Sequence, residues 1–370
     1  MENDIFLRFH SLFKIPKDLI YLDGNSLGPL PKSAAEAISN VTHNEWGNLL
    51  IKGWNESGWM DQPETLGNDI AKLIGAQRDC ITVGDTLTFK VYQALASAIQ
   101  IAPKNGVVLS DNGNFPSDIY VANSLLKQKN LAPVRLVKTD RLEKEIKKGD
   151  VSVLLLTQVD YRTGHVHDMA KITNLAKKEG IVTIWDLAHS VGALCLNVDQ
   201  DDIDFAVGCT YKYLCGGPGS PAFIYVKPCH IPAIEPEISG WLGHKLPFKF
   251  DLSFVPDSGI RKFRIGTPPV IQMSALKAAL DIWKTVDMVS FRKQAQNITQ
   301  LFIEEIEGLG VDLELISPRN PCFRNSQVSF KTSHAYEKMQ ALIKNQVIGD
   351  YREPNIMRFG FNPLFNDESQ

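Results

Sequence analysis

Three short apolar runs within residues 181–226 constrain the fold of this 370-residue chain more than any other feature. The runs are Ile181–Trp185, Phe205–Val207 and Ala222–Val226, and each is rich in β-branched or aromatic residues. Short runs of this kind are typical of the buried strands of a parallel sheet. Strand-like and helix-like segments alternate from residue 80 to residue 226, which predicts an α/β fold with a mainly parallel, doubly wound sheet.

The rest of the chain is expected to form a second, smaller unit. Further strands are predicted over residues 20–23, 80–83, 106–110, 134–137, 151–156, 327–330 and 356–359. Helices are predicted over residues 4–15, 32–46, 64–76, 88–99, 140–148, 169–178, 270–283, 287–308 and 335–345. A proline-rich passage after Val226 shows neither the helical nor the strand period of apolar residues. We therefore predict a large α/β domain over 55–265 and a smaller α+β domain over 266–370, which the N-terminal segment 1–54 completes.

Composition and charge exclude several classes of protein. Hydrophobic residues make up 44% of the chain and charged residues 22%, as expected of a globular protein. The net charge of −3, without a basic block, argues against a nucleic-acid partner. No apolar run is long enough for a membrane span, and the N-terminus lacks a signal-peptide pattern. The six cysteines form no C-x-x-C pair, so we expect no metal site and a cytoplasmic, reducing location.

An acid and a lysine follow two neighbouring strands of the predicted sheet. Asp186 ends the first apolar run, and Lys212 lies in the loop after the second. The carboxyl ends of parallel strands form the edge where open α/β sheets bind ligands, so the two side chains can meet. A lysine that forms a Schiff base and an Asp that holds a ring nitrogen are the main protein contacts of pyridoxal phosphate (PLP). The alternative is a solvated lysine and an Asp that caps a helix.

Other residues at predicted loop ends have two interpretations each. Thr86 and Thr88 can cap the helix that follows them, or the same helix start can receive a phosphate. Phe115, next to a proline, can stack on a flat ligand or act as a hydrophobic staple. The sequence H-x-H-D at 165–168 can bind a metal, although Asp168 as a helix N-cap is the commoner role.

The sequence G-x-S-x-G at residues 24–28 matches the nucleophile elbow of α/β-hydrolases. Pro29 and Pro31 follow it, and they prevent the direct entry into a helix that an elbow requires. The remaining interpretations are a loop whose glycines give it conformational freedom, or a loop that lends Ser26 to a site.

Many separate segments, in order along most of the chain, resemble the kynureninase family of PLP-dependent enzymes. They are YLDGNSLGPLP (21–31), SGWM (57–60), FPSD (115–118), VDYRTG (159–164), WDLAHSVGA (185–193), GCTYKYLCGGPGSPAF (208–223), GWLGH (240–244), FRIGTPP (263–269) and VIGDYREPNIMRFGFNPL (347–364). The resemblance implies PLP-transferase fold type I, a homodimer, and cleavage of the Cβ–Cγ bond of L-kynurenine, or its 3-hydroxy form, to anthranilate and alanine in tryptophan catabolism.

The resemblance also implies a role for each matching residue. Lys212 would be the Schiff-base lysine and the base at Cα, Asp186 the partner of the ring nitrogen, and Tyr211 the proton donor at Cβ. Other cofactor contacts would come from Leu87, Thr88, Phe115, Asp118 and His189, and, toward the phosphate of the neighbouring subunit, from Trp241 and Thr267. Ser26 and Trp54 would line the substrate side, and Arg358 would pair with the α-carboxylate. The pair Trp54 and Thr267 is similar to the bacterial type, which implies a preference for kynurenine.

Three alternatives remain at this point. Another fold type I enzyme, such as a cysteine desulfurase or an aminotransferase, would share Asp186, His189 and Lys212. A desulfurase also needs a reactive cysteine on a mobile loop, and Cys322 is the candidate by position. The other two are a hydrolase that uses Ser26 and a PLP-binding homologue without activity.

Overall fold

The computed structural model describes residues 4–369, and its elements follow the predicted alternation. The strands are β1 Phe13–Lys14, β2 Ile20–Tyr21, β3 Leu30–Pro31, β4 Ile81–Val83, β5 Val107–Asp111, β6 Arg135–Val137, β7 Val151–Thr157, β8 Val182–Asp186, β9 Phe205–Gly208, β10 Phe223–Val226, β11 Glu314–Leu315, β12 Gln327–Lys331, β13 Val347–Ile348, β14 Asp350–Arg352 and β15 Ile356–Gly360. The helices are α1 Asp4–His10, α2 Lys32–Asn40, α3 Gly47–Leu49, α4 Gly53–Glu56, α5 Gln62–Ile74, α6 Leu87–Ile101, α7 Pro116–Gln128, α8 Leu142–Ile146, α9 Met169–Lys178, α10 Val270–Trp283, α11 Met288–Gly308 and α12 Ala335–Lys344.

The large sheet is mainly parallel, as the alternation predicts. Its order is β4-β10-β9-β8-β7-β5-β6, and β9, β8, β7, β5 and β6 pair in parallel. The exception is β10, which comes from the third apolar run and is antiparallel to both β9 and β4. The expectation that this run is a parallel strand is therefore wrong. Residues 209–222 form loops and turns instead of the helix that a parallel crossover usually needs, so the chain returns antiparallel.

Helices cover both faces of the large sheet and bury two apolar cores. One core joins α5, α9 and α10 to one face through residues such as Ile70, Ile172 and Leu276. The other joins α6 and α7 to the opposite face through residues such as Leu95 and Leu125. Both faces of the sheet are thus dry, which explains why the strands read as continuous apolar runs.

A smaller antiparallel sheet of order β11-β12-β15-β14 packs against α11 and α12. Its core includes Ile298, Val328 and Met339. The N-terminal segment reaches this region, because β2 pairs in parallel with β13 and Leu22 packs in the same core. The bridge between Asp23 and Gly360 extends this contact.

The N-terminal helix is shorter than predicted. Residues 4–15 were expected to be helical, but α1 ends at His10 and Phe13–Lys14 pairs with Leu30–Pro31 instead. Phe13 is buried against Phe365, so a contact with the far end of the chain outweighs the local helical period. In residues 4–369 no helix combines the length and apolarity that crossing a bilayer requires.

Candidate active site

A cavity of about 440 Å³ opens at the carboxyl ends of the parallel strands. Strand β8 ends at Asp186, β9 leads to Lys212, and both residues line the cavity. Phe115, after β5, and Tyr161, after β7, line it as well. The sheet therefore brings the predicted acid and lysine to one site at the edge where such folds bind ligands.

Lys212 lies beside a buried histidine. The Lys212 Nζ is 2.8 Å from Nε2 of His189, which follows β8. Burial, and then the positive charge of Lys212, holds the pKa of His189 well below its usual value. The imidazole is therefore neutral, and it can accept a hydrogen bond from the lysine at Nε2. This contact holds the amine in the cavity.

Asp186 is buried at the end of β8 and is fixed by the backbone. Its Oδ1 accepts a hydrogen bond of 2.8 Å from the Ala188 N–H. Burial raises the pKa of Asp186 to about 6, although the nearby charge of Lys212 opposes the rise. A carboxylate in this position can bind a cationic ring nitrogen. The positive charge of such a partner would stabilise the ionised carboxylate, which burial alone disfavours.

Asp118 is a buried carboxyl without a good partner. It lies in the first turn of α7, is 0% exposed, and neither oxygen has a hydrogen bond of good geometry within residues 4–369. Burial and the charge of Asp186 raise its pKa well above the usual value. Unsatisfied buried carboxyls are rare in folded proteins, so this residue indicates a polar ligand nearby.

The start of α6 also lines the cavity. Thr86 caps this helix through Oγ1, which accepts from the Phe89 N–H at 3.4 Å, so its predicted capping role is confirmed. Thr86, Leu87 and Thr88 all line the cavity. The first-turn N–H groups and the positive end of the helix dipole form a site suited to a phosphate.

Aromatic side chains flank Lys212. The Phe115 ring centroid lies 5.9 Å from Lys212 Nζ and packs edge-on against Tyr161 at 5.0 Å. Phe115 is 40% exposed, so its contacts do not match the buried hydrophobic staple that was the alternative. Tyr211 lines the same cavity, and burial, followed by the proximity of Cys209, raises the pKa of its phenol.

A cluster of two arginines, one serine and one carboxylate forms the remaining wall. The carboxylate of Asp350 accepts from Arg358 Nε at 2.6 Å, from Arg352 Nη2 at 2.9 Å and from Ser26 Oγ at 2.6 Å. Ser26, Arg352 and Arg358 all line the cavity. Burial raises the pKa of Asp350, but the hydrogen bond and charge of Arg358 outweigh this and lower it, so Asp350 is ionised.

The loop that carries Ser26 packs directly on the loop that carries Lys212. The Gly28 N–H donates to the Tyr211 carbonyl at 2.9 Å, and α2 begins only at Lys32. Ser26 bonds to Asp350 and Arg358, not to a histidine. The geometry is therefore that of a loop contributing to a site, not that of a nucleophile elbow.

Four predicted site residues do not line the cavity of their own chain, and one of them is the fully buried Asp118. Trp54 packs edge-on against Trp59 with the ring centroids 5.3 Å apart. Trp241 is 42% exposed and stacks on Phe250 at 6.3 Å. Thr267 lines a separate small pocket beside the start of α6.

The H-x-H-D sequence takes a structural role. His167 Nε2 lies 3.0 Å from the buried Asp111, and His165 packs edge-on against His167. Asp168 caps α9 by accepting from the Lys171 N–H at 3.0 Å. Within residues 4–369 no group of His, Cys, Asp or Glu has the arrangement of a metal site.

Sequence reasoning missed Asp350 and Arg352. They lie on β14, whose register pairs Asp350 with Arg358 and Arg352 with Ile356. Residues two apart on a strand share a face, so the D-x-R spacing beside the Arg358 strand was the available signal. It went unnoticed because β14 has only three residues and no apolar alternation.

The residues at this cavity fit PLP. The helix start can take the phosphate, Asp186 the ring nitrogen and Lys212 the aldehyde carbon. The buried carboxyl of Asp118, next to the cavity-lining Ser117, is the independent observation, since neither of its oxygens has a hydrogen bond of good geometry within the described residues.

The chain is similar to proteins of one family over most of its length. Residues 291–370 match the family model "Kynureninase C-terminal domain". The kynureninase of Deinococcus radiodurans is 43% identical over 95% of this chain and 87% of its own length. That of Burkholderia mallei (strain ATCC 23344) is 42% identical over 95% of this chain and 86% of its own.

Solved structures show the fold. The cysteine desulfurase CsdA of Escherichia coli has a TM-score of 0.82 at 18% identity, covering 98% of this chain and 94% of its own. A lysine-to-alanine mutant of C-DES, with glycine covalently linked to its PLP cofactor, has a TM-score of 0.82 at 17% identity, covering 95% and 94%. The predicted fold type I is therefore confirmed.

Proposed function

This chain belongs to the kynureninase family, and from that premise we propose how its residues divide the work of the reaction. The chain is a PLP-dependent hydrolase that cleaves the Cβ–Cγ bond of L-kynurenine, a small-molecule substrate, to give anthranilate and L-alanine. A desulfurase or aminotransferase activity is not favoured, because the desulfurases share only the fold.

The cofactor shell that we propose follows the geometry of the cavity. PLP supplies an electron sink that stabilises negative charge on the substrate carbons. Asp186 would bind the ring nitrogen, Phe115 would cover the ring, and the start of α6 at Leu87 and Thr88 would bind the phosphate. Asp118, His189 and Tyr211 complete this shell in the proposal.

Two residues would move protons. The Nζ of Lys212 would remove the proton from the substrate Cα, and His189 holds this amine at 2.8 Å. Water would add to the Cγ carbonyl carbon and lose a proton to a general base. The Cβ–Cγ bond would then break, so that Cγ becomes the carboxylate of anthranilate and the electron pair stays on Cβ. The phenol of Tyr211 would then donate a proton at Cβ, and its raised pKa keeps that proton in place until it is needed.

The substrate side of the proposed site contains Ser26, Arg358 and Trp54. Arg358 is 1% exposed and lines the cavity, where its charge favours a carboxylate. Trp54 does not line the cavity of its own chain, so its part in substrate binding requires a second copy. The pair Trp54 and Thr267 supports a preference for kynurenine over 3-hydroxykynurenine.

We propose a homodimer in which Trp241 and Thr267 reach the phosphate of the neighbouring subunit. An exposed aromatic cluster supports this, with Trp241 42%, Phe248 62% and Phe250 71% exposed. Exposed apolar patches of this kind mark protein–protein contacts. Sedimentation at low protein concentration tests the dimer, and a monomer with full activity would contradict it.

The domain division and the location are proposals as well. The separate core under the small sheet supports a domain over 266–370 completed by 1–54, next to the large domain over 55–265. The six free cysteines support a reducing, cytoplasmic location.

One observation carries the assignment of the site: Lys212 Nζ lies against His189 in the cavity that Asp186 also lines. The test uses Lys212→Ala, with the exposed Lys344→Ala as the matched control. The protein is loaded with PLP, reduced with borohydride and digested for mass spectrometry. We expect the wild type and Lys344→Ala to carry the label on residue 212.

The same variants are tested with L-kynurenine. We expect Lys212→Ala to lose about 10²–10⁴-fold in kcat, the range for a positioned general base. A label on another lysine, or wild-type turnover by Lys212→Ala, would contradict the assignment.

A further inference from the structure

Two arginines share one carboxylate at the substrate side of the cavity. Arg358 and Arg352 both bond to Asp350, and both line the cavity. Asp23 is a second carboxyl in this cluster, and burial, followed by the charge of Asp350, raises its pKa to about 7. When Asp23 is protonated, two guanidinium groups face one ionised carboxylate and leave an excess of one positive charge. An amino-acid substrate carries an α-carboxylate that can neutralise it, so the question is which arginine has donors left for this group.

Arg358 has few donors left. Its Nε and Nη2 bond to Asp350, Nη2 also to Ser26 Oγ at 3.1 Å, and Nη1 to the Tyr161 carbonyl. These bonds use four of the five N–H groups of a guanidinium. Arg358 therefore cannot offer a free two-pronged fork to a substrate unless Asp350 releases it.

Arg352 has more unused hydrogen-bond donors than Arg358 and is more exposed to solvent. Its side chain is 39% exposed, against 1% for Arg358. It donates once to Asp350 at 2.9 Å and once to the Tyr351 carbonyl at 3.2 Å. Within residues 4–369 its Nε–H and one N–H on each terminal nitrogen stay available. A planar guanidinium with these donors matches a carboxylate.

The charge of Arg352 also reaches the reacting end of the cavity. Burial is the main cause of the lowered pKa of His189, and the charges of Lys212, Arg358 and Arg352 follow it. The charges of both arginines thus lower the pKa of His189, the residue beside the reactive lysine. Both arginines and Lys212 line the same cavity, so a carboxylate at the arginines and an amino group at Lys212 can belong to one α-amino acid.

We propose that Arg352 is a substrate-binding residue that holds the α-carboxylate together with Arg358, and that Asp350 is the positioning residue that keeps both arginines in place. The proposal deepens the proposed function and rests on it for the identity of the substrate. Arg352 supplies the main hydrogen-bonding fork, and Arg358 supplies charge and its remaining N–H.

The test compares Arg352→Gln and Arg352→Lys in the PLP-loaded enzyme. The control is Arg141→Gln, whose side chain is 64% exposed and whose Nε lies 3.9 Å from the carboxylate of its neighbour Asp140. The first measurement is the Kd of L-alanine from the change in cofactor absorbance. Alanine carries the α-amino and α-carboxyl groups without the aryl end, so it isolates the contact. The second is KM and kcat for L-kynurenine. The third is inhibition by anthranilate, which lacks the α-carbon groups and whose own carboxylate is on the aryl ring at the other end of the substrate.

We expect Arg352→Gln to raise the Kd of L-alanine and the KM of kynurenine by about 10–100-fold, as the loss of a charged hydrogen-bond pair requires. Anthranilate inhibition and kcat should change much less, and Arg352→Lys should recover part of the affinity. Equal losses in alanine and anthranilate affinity would indicate a structural role and overturn the proposal. An alanine Kd within twofold of wild type would overturn it too.

The two levels of the proposal fail separately. If the wild type makes no anthranilate but Arg352→Gln weakens alanine binding, the substrate is wrong and the carboxylate contact stands. If the wild type cleaves kynurenine and the variant binds alanine normally, only the role of Arg352 is wrong.

Discussion

Replacing Gly28 by alanine is expected to damage catalysis from outside the cavity. Gly28 lies where its loop crosses the Lys212 loop, and its N–H donates to the Tyr211 carbonyl at 2.9 Å. A Cβ at this position would lie 2.5 Å from the Lys212 carbonyl oxygen and 2.7 Å from the Cys215 Cα. Ordinary contacts of this kind are 3.4–4 Å, so the two loops must separate.

The expected magnitude follows from this displacement. Two of the contacted atoms belong to the backbone, so no flexible side chain can move aside, and the Lys212 loop must shift by about 1 Å. Such a misplacement of a catalytic group can cost about 10²-fold in rate, and overpacking of this size costs about 1–3 kcal/mol of stability. We expect Gly28→Ala to lower kcat about 10–100-fold while the protein still folds.

The assay follows anthranilate fluorescence, with cofactor content and circular dichroism measured on the same samples. Gly308→Ala is the matched control, because nothing lies within 4 Å of its added Cβ. It should keep wild-type activity. A Gly28→Ala protein with kcat within threefold of wild type would refute the argument that this close approach positions Lys212.

Three further outcomes test the charges around the site. Asp350→Asn should lower the free energy of unfolding by about 3 kcal/mol, because it leaves the buried Arg358 without its anion. Since the folded pKa of Asp350 is lowered, this difference should persist above about pH 4 and shrink as the pH falls through the folded pKa, as urea unfolding at several pH values would show. Asp118→Asn should raise the thermal stability of the cofactor-free protein at pH 8, because the raised pKa of Asp118 makes its ionised form unfavourable, and it should weaken PLP retention on dialysis. Lys90→Met should also weaken PLP retention. The buried Lys90 bonds to Asp85 at 3.1 Å, and without it the negative charge of Asp85 would repel a phosphate at the start of α6. Unchanged retention would contradict this.

The elements with a strong local signal were predictable from the sequence. Helix α9 begins and ends as predicted, because Asp168 caps it and its apolar residues recur at helical spacing. Helix α10 likewise matches its predicted bounds after two prolines. Asp186 and Lys212 meet as expected, because the direction of parallel strands fixes which loops share an edge.

The missed features depend on contacts between distant segments. The antiparallel direction of β10 follows from what the chain does between residues 209 and 222, which apolar patterning does not encode. Strands of two or three residues, such as β1 and β14, are too short to show a period and exist through their partners. The hydrogen bonds of Asp350 to two arginines and to Ser26 were also missed, because Ser26 lies more than 300 positions away in the sequence.

The most direct test mixes the purified, PLP-loaded protein with L-kynurenine and measures anthranilate fluorescence and L-alanine in the same tube. The account predicts that the two products rise together in equal amounts and that both form about 10²–10⁴-fold more slowly with Lys212→Ala. Product formation by Lys212→Ala at the wild-type rate, or no anthranilate from a wild-type protein that holds PLP on Lys212, would contradict it.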